Sequence, residues 1–289
     1  MPPSFDTVDL ENSSVVDMTM SNLESEDLVM QVRKIYGVLA QRSDLRPCKA
    51  VNELFGGLVG LCIQTLSEKT VNEVLQNIHI AQLAPSLRKL CSTAEYYLET
   101  YWANLIVQPE EEIEVEQNLR KFPYHGNYID LTRMELGAIY AVRQAAPQKI
   151  AFIGSGPLPL TSLCLCQALH QRPNAMQSSF SAPMVLNIDN DHEAISQSRL
   201  LCSRLGPRAR GMRFLCADAN DPDILLQNFD VVYLAALVGQ TTKEKEREFD
   251  VASEMVKGCL EVCLVVHPYN HIVNSVIIGR VKERQKGSR

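Results

Sequence analysis

Residues 149–162, K-I-A-F-I-G-S-G-P-L-P-L-T-S, constrain this chain more than any other stretch, because an apolar run passes through a glycine turn into a helix start. Ile150, Ala151, Phe152 and Ile153 form a continuous apolar run, which suits a parallel strand buried on both faces. Gly154 and Gly156 have no Cβ, so the backbone around Ser155 can turn sharply and bring its amides close to a ligand. Pro157 or Pro159 fits a first helical turn, where a missing N–H costs nothing, and that helix runs on through Leu160, Leu163 and Leu165. Pro159 stands where a dinucleotide fingerprint has its third glycine, which weakens a pyrophosphate reading and leaves room for a smaller adenosine ligand. Gly154, Ser155, Gly156, Pro157, Leu158 and Thr161 are the candidate ligand contacts of this loop. The bland alternative for G-x-G alone is a structural turn that holds nothing.

Three further apolar runs follow at crossover spacing. Residues 184–191, M-V-L-N-I-D-N-D, read as a strand ending in a carboxylate, where doubly wound folds hold ribose hydroxyls. Asp189 is the candidate, since an ionised carboxylate can accept from both hydroxyls. A helix over 192–205 leads to a third strand, 212–217, whose end places Ala217 and Asp218 beside the adenine. The fourth strand, 229–237, is F-D-V-V-Y-L-A-A-L. Strands alternating with helices in this way indicate a parallel sheet.

The first half of the chain reads differently. Residues 1–25 are rich in Ser, Asp, Asn and Glu without a sustained period, so a disordered tail is expected there. Leu28, Val32, Ile35, Tyr36 and Leu39 then recur at helical spacing, and a second apolar stretch covers 51–66. A third helix is expected over 71–80 and a long fourth over 83–106, with Pro85 in its first turn. Glu95 and Glu99 share one face of that fourth helix, and Tyr97 and Tyr101 form a neighbouring stripe. The bland reading is a solvated glutamate pair beside a buried aromatic stripe. Five glutamates between 109 and 117 read as a solvent-facing acidic loop or helix start. Residues 122–128, F-P-Y-H-G-N-Y, read as a loop whose aromatics either line a pocket or pin it to the body. A helix over 131–145 precedes the glycine-turn strand.

Composition excludes several classes. With 34 acidic against 28 basic side chains, the chain lacks the charge of a protein that binds nucleic acid by neutralising phosphate. No apolar run approaches membrane-spanning length and no basic-then-apolar leader opens the chain, so a cytoplasmic address is expected, with a small molecule as partner and neither nucleic acid nor membrane. The nine cysteines are scattered without C-x-x-C and read as reduced thiols, so no metal site is expected.

Four strand-helix units with acidic ends on strands two and three look like the Rossmann-like S-adenosylmethionine-dependent methyltransferase fold, an α/β class, here with an N-terminal helical domain. The expected division is a tail over 1–25, a helical domain over 26–146, a Rossmann-like domain over 147–281 that is shortened after 257, and a basic tail over 282–289. Amine methyltransferases often follow strand four with an acidic residue, prolines and an aromatic. Here Ala235, Ala236, Leu237 and Val238 stand there, small apolar walls that fit around an adenosine.

Together, A-E-Y-Y-L-E at 94–99, F-P-Y-H-G-N-Y at 122–128, the glycine-turn stretch at 149–162, F-D-V-V-Y-L-A-A-L-V-G at 229–239 and H-P-Y-N-H-I-V-N-S-V-I-I-G-R near the C-terminus resemble nicotianamine synthase, from about residue 28 to 281. The resemblance implies an enzyme that consumes S-adenosylmethionine as substrate, with no permanently bound cofactor. It transfers the aminocarboxypropyl group repeatedly, closes an azetidine ring and releases methylthioadenosine. The product is a metal chelator, so metal belongs to the product's role. The resemblance also implies Glu95 as the base that takes the amine proton, Tyr124 as its positioning partner, and Glu99, Asn127 and Tyr128 as cavity lining; either glutamate could be the base.

The chain departs from the family after Val256, where Met255 to Gly258 run almost directly into the apolar residues 260–266. One strand and its crossover are expected to be missing, with reduced or absent turnover as the consequence. Either 260–266 slides into that slot or the sheet is rearranged, and the final stretches, 260–266 and 272–281, read as an antiparallel hairpin at the sheet edge. His267 and His271 read as turn residues. A methyltransferase and a catalytically silent S-adenosylmethionine-binding protein are the alternative functions.

Overall fold

The structure, a computed structural model, describes residues 9–171, 182–235, 260–268 and 274–282, with side chains from Leu23 onward. Two compact units divide the chain between Ala94 and Glu95. The first contains helices α1 (Asp9–Ala40), α2 (Lys49–Cys62) and α3 (Glu68–Gln76) and the start of α4 (Ile78–Ile106). The second contains the rest of α4, then α5 (Glu112–Arg120), α6 (His125–Val142) and every described strand. The helical region up to residue 146 is therefore shared between the two units.

In the first unit, Leu39, Leu45 and Ala94 form a small core with Ile35, Leu54, Phe55 and Leu90. Helix α1 begins at Asp9, earlier than the expected start at Glu26, so part of the expected tail is helical; residues 1–8 lie outside the described residues. Ser67 caps α3 by accepting from the Thr70 amide at 3.0 Å, which starts that helix at Glu68. Asn77 has extended backbone and separates α3 from α4, which begins at Ile78. Pro85 is consequently inside the helix and not in its first turn, leaving one carbonyl of the preceding turn without its helical donor.

In the second unit a four-stranded parallel sheet has the order β3-β2-β1-β4, from β1 (Lys149–Ile153), β2 (Met184–Asp189), β3 (Met212–Cys216) and β4 (Val231–Leu234). Helices α7 (Leu160–His170) and α8 (His192–Arg204) follow β1 and β2. One face of the sheet buries Ile150, Phe152 and Val185 with Leu158, Leu160, Leu163, Leu165 and Leu201. Ala151, Ile153 and Ile188 form a second cluster with Leu186, Ala219, Ile224, Leu226 and Phe229. A buried polar residue stands inside this apolar frame. Asn187, fully buried on β2, accepts from the Ser162 hydroxyl and donates to the Arg213 carbonyl at 3.0 Å, so the first turn of α7 is anchored to β2 and β3.

At the other end of the sheet, one Asp230 oxygen accepts from the amides of Gln148 at 2.7 Å and Lys149 at 3.0 Å, while the other accepts from Arg143 at 3.0 Å. Burial alone would raise the Asp230 pKa, but the two amides and the guanidinium outweigh it and hold it below the usual carboxylate value.

The C-terminal strands β5 (Leu260–Val266) and β6 (Val276–Val281) pair antiparallel with each other as a separate two-stranded sheet against α6. The expected hairpin forms, but not at the edge of the main sheet: among the described residues nothing pairs with the outer edge of β4. Among the described residues, 260–266 does not fill a slot in the main sheet and pairs with β6 instead. The His267 ring nitrogen meets the Ser275 hydroxyl at 2.8 Å beside the turn; His271, and the departure at 255–258, lie outside the described residues.

Replacing Asp230 by Ala is expected to destabilise the chain by about 1–3 kcal/mol, since two partly buried amides lose their acceptor. Urea unfolding of parent and variant measures it.

Candidate functional site

The glycine turn sits at the carboxyl end of β1, and its backbone needs both glycines. Gly154 has φ 78° and Gly156 φ 64°, in the left-handed region that side chains disfavour. The Gly154 amide donates to the Ile188 carbonyl at 2.8 Å and the Gly156 amide to Asp189 Oδ2 at 2.9 Å. Asp189 Oδ1 accepts from the Asp191 amide at 3.0 Å, and the Ser198 hydroxyl donates to the Gly156 carbonyl at 2.7 Å. The acid at the end of β2 therefore fixes the turn. Its remaining lone pairs are available to hydroxyls, as the ribose reading requires.

Gly156 is needed for a second reason. A Cβ there would lie 2.6 Å from Glu99 Oε2, so the bare Cα is what lets the Glu99 carboxyl of α4 rest on the turn. Tyr128 Oη approaches Glu99 Oε1 at 3.5 Å, at the limit of a hydrogen bond. Glu99 has its pKa pushed well up, first by burial and then by Glu95 and Asp189, with the Tyr128 hydroxyl acting in the opposite sense. Glu95, one turn earlier, is raised by burial. Tyr128 is raised far above an ordinary phenol by burial and by Glu99 and Glu95. No cationic side chain contributes to any of these three shifts. The acids face one another, and no cation among the described residues offsets them.

The bland reading of helix four is thus inverted. The two glutamates face inward, whereas Tyr97 and Tyr101 are 37% and 51% exposed, so the aromatic stripe expected to be buried is the outward one. Tyr96 and Trp102 turn inward instead. The Tyr96 hydroxyl donates to Asp191 Oδ2 at 2.7 Å and has its pKa raised to about 12 by burial and by Asp191 and Glu193. Asp191 also caps α8 through the Glu193 and Ala194 amides. Sequence reasoning passed over Tyr96 and Asp191, although the pattern of an acid before a helix start was there to be read.

The stretch 122–128 is not a loop throughout, because α6 begins at His125 with Tyr124 at its N-cap. Asn127 and Tyr128 thus lie in the first turn of α6, and Asn127 is half-buried. Tyr124 is 38% exposed and packs its ring edge-on against Phe122 at 5.7 Å. No hydrogen bond joins Tyr124 to Glu95 among the described residues; Tyr128 is the tyrosine that reaches a glutamate, and that glutamate is Glu99.

In the loop itself, α7 starts at Leu160 with Pro159 as N-cap, so neither proline occupies its first turn. Ser155 is buried with its hydroxyl unpartnered, Pro157 is buried, and Thr161 is half-buried. Leu158 is 2% exposed and belongs to the core, so only its backbone can face a ligand. Ala217 and Asp218 follow β3, Ala217 donating its amide to the Asp189 carbonyl at 3.0 Å. Asp218 is exposed and turns its Oδ1 to the Asn220 amide at 2.8 Å. The Ala235 amide donates to the Ile153 carbonyl at 3.0 Å, which places Ala235 beside the turn at the end of β4; residues 236–238 lie outside the described residues. The acidic stretch 109–117 runs into α5 and is paired in part: Glu116, on α5, bonds Arg120 and Arg208.

A family model described as nicotianamine synthase protein matches residues 20–260. This chain belongs to the nicotianamine synthase family. It is 30% identical over 280 residues to nicotianamine synthase 1 of Arabidopsis thaliana, covering 88% of this chain and 83% of the relative. With the nicotianamine synthase of Solanum lycopersicum the identity is 32%, over 89% and 84% of the two chains. With nicotianamine synthase 9 of Hordeum vulgare it is 33%, over 89% and 80%. Among solved structures, a point mutant of MtNAS in complex with S-adenosylmethionine matches with a TM-score of 0.63 at 18% identity, covering 88% of this chain and 97% of that one. MtNAS in complex with MTA and tNA gives 0.64 at 17%, covering 89% and 98%. At those identities the structures establish the shared fold, the Rossmann-like class with a helical N-terminal region. The family model ends at residue 260, the first residue of β5, whereas the motifs quoted above continue to 280.

Acids whose folded pKa is raised contribute stability that is fully present below about pH 4.5 and is lost as pH rises through the folded values. Glu135, raised by burial to about 8, adds to Glu95 and Glu99 in this respect. The ligand-free chain is therefore expected to melt at a lower temperature at pH 8 than at pH 5.5. Glu99→Gln should flatten that slope in a thermal scan across the range, and an unchanged slope would contradict the assignment.

Proposed function

We propose that this chain is a nicotianamine synthase that joins aminocarboxypropyl groups from S-adenosylmethionine, closes an azetidine ring and releases methylthioadenosine. The observation that carries the reading is the Glu99 carboxyl resting on the glycine turn, beside Glu95 and Asp189 and with no cation next to it among the described residues. A sulfonium and an ammonium supply the counter-charge, and their arrival draws the carboxyls toward the ionised form, in which they accept protons.

A sulfonium activates three carbons, so the product depends on which one lies in line with the nucleophile. The glycine turn, with Asp189 for the ribose, holds the donor's adenosine and leaves its amino-acid arm directed at α4. The acceptor nitrogen attacks the γ-carbon, the C–S bond breaks with its electrons going to sulfur, and the nitrogen's proton passes to a carboxylate. Glu99 serves the donor side, since it touches the turn. Glu95, one turn away, is the base on the acceptor side. Tyr128 orients Glu99, and Tyr124 and Asn127 border the same cavity. Ser155, Pro157, Leu158 by its backbone, Thr161, Ala217, Asp218 and Ala235 border the adenosine.

A specific observation favours a second reading. Among the described residues strand β5 pairs with β6 and does not extend the main sheet, which agrees with a shortened form that binds the donor and turns over slowly or not at all.

Mass analysis after incubation with S-adenosylmethionine as sole substrate separates these outcomes. Methylthioadenosine with the azetidine product is expected; S-adenosylhomocysteine would identify a methyltransferase, and donor binding without either coproduct the silent form. Glu95→Gln is expected to lower kcat by about 10²–10⁴-fold, the range of general base catalysis. Glu99→Gln should act mainly on KM, and the reverse pattern would exchange their roles.

A further inference from the structure

The Glu99 carboxyl is placed by where α4 lies more than by anything bonded to it. It rests over the bare Cα of Gly156, and its hydrogen bond to Tyr128 is 3.5 Å long. Two hydrogen bonds tie this part of α4 to the start and middle of α8. The Tyr96 hydroxyl donates to Asp191 Oδ2 at 2.7 Å, and about two turns further along α4 the Gln197 side chain donates to Asn104 Oδ1 at 2.7 Å. Between them opens a cleft of about 380 Å³ lined by Tyr96, Thr100, His192, Glu193, Ser196 and Gln197, all polar. Along this stretch the helices therefore meet through hydrogen bonds and not through packed apolar side chains. The Asn104 bond is exposed and joins neutral groups, whereas the Tyr96 bond is half-buried and ends on a carboxyl, which makes it the stronger tie.

That tie leads on to the carboxylate proposed for the ribose. Asp191 caps α8 with Oδ1, 2.8 Å from the Glu193 amide, which leaves Oδ2 for Tyr96. Its own amide donates to Asp189 Oδ1 at 3.0 Å, and Asp189 Oδ2 accepts from the Gly156 amide at 2.9 Å. Ser198, further along α8, donates to the Gly156 carbonyl at 2.7 Å. Tyr96 and Glu99 are three residues apart on α4, so they are neighbours on its surface. The path closes on itself: Tyr96, Asp191, Asp189, the Gly156 backbone, Glu99, and back along one turn of α4. Burial would raise the Asp191 pKa, but the Tyr96 hydroxyl, the two cap amides and His192 outweigh it, so the corner of this ring is an ionised acceptor.

We infer that the hydrogen bond between Tyr96 and Asp191 is a positioning brace, which sets the distance between the acids of α4 and the ribose carboxylate Asp189. The inference rests on the reading given above, in which Asp189 and the glycine turn hold the donor's adenosine while α4 meets its cationic arm. The Tyr96 hydroxyl is committed to Asp191 and acts through Glu95 and Glu99, whose placement against the sulfonium and the ammonium depends on where α4 is pinned. A misplacement of about 1 Å at a reacting centre costs on the order of 10²-fold in rate.

Methylthioadenosine carries the adenosine without the cationic arm, so it and S-adenosylmethionine report the two sides of the brace separately. Tyr96→Phe keeps the ring and removes the bond. Asp191→Ser keeps a capping oxygen for α8 and the amide on Asp189, but its side chain is too short to serve Tyr96 as well, and it guards against a folding defect in the first variant. In calorimetric titrations each variant is expected to bind S-adenosylmethionine about tenfold more weakly than the parent, the weight of one hydrogen bond to a charged group, and methylthioadenosine within about twofold. The double variant should bind no more weakly than either single one, because the two residues act as a unit. Where turnover occurs, kcat for methylthioadenosine release should fall by about 10²-fold in each variant. A purely structural pair would lower the melting temperature and leave both affinities at the parent's values, and equal weakening of both ligands would place the effect on the adenosine side. Either result overturns the inference, as do losses that add in the double variant. The split in affinity without methylthioadenosine or azetidine product overturns the synthase reading and leaves the brace in its role; a parent that binds neither ligand overturns both.

Discussion

Everything at the site depends on the two carboxyls that flank Gly156. Asp189 receives its amide from the β2 side, and Glu99 occupies the space that its missing Cβ leaves open on the α4 side. A strand end, a glycine turn and a helix from the preceding part of the chain thus meet at one backbone atom. Any side chain at Gly156 would meet both an unfavourable φ and the Glu99 carboxyl, so backbone conformation and site geometry are one requirement.

That arrangement costs stability. Glu95 and Glu99 are half-buried and Glu135 is buried, with no cation beside them among the described residues, and desolvation makes their charged forms expensive in the empty chain. What offsets the cost is the close-packed face of Ile150, Phe152, Leu163, Leu165 and Leu201, together with polar anchors that are fully satisfied, Asn187 at one end of the sheet and Asp230 at the other. Unpaired acidity gathers where α4 meets the glycine turn, and the surrounding structure holds it in place.

The parallel sheet was legible because both signals it needs are local. Apolar runs of strand length ended by Gly154 or Asp189 repeat at crossover spacing, and each run became a strand of one parallel sheet. Helix boundaries were less legible. Asn77 split what read as a continuing helix, moving Pro85 into the interior of α4, and α6 begins after Tyr124, where a proline, a glycine and an asparagine suggested a loop. The hairpin was readable as two strands but not its place: antiparallel pairing is local, whereas the choice between the β4 edge and the face of α6 depends on which surface is left to bury.

The sequence by itself determined the glycine turn, the acid after β2, the alternation that makes a doubly wound sheet, and the motifs that place the chain in its family, because each is fixed by residues close together along the chain. Only the tertiary structure decided which face of α4 is buried. Glu95 and Glu99 repeat at the same helical spacing as Tyr97 and Tyr101, so periodicity alone cannot orient that helix. The orientation comes from what the rest of the unit offers: Gly156 gives room for a carboxyl, Tyr128 gives it a hydroxyl, and Asp191 gives Tyr96 an acceptor. Burial is a property of those distant partners, and no stretch of chain contains it.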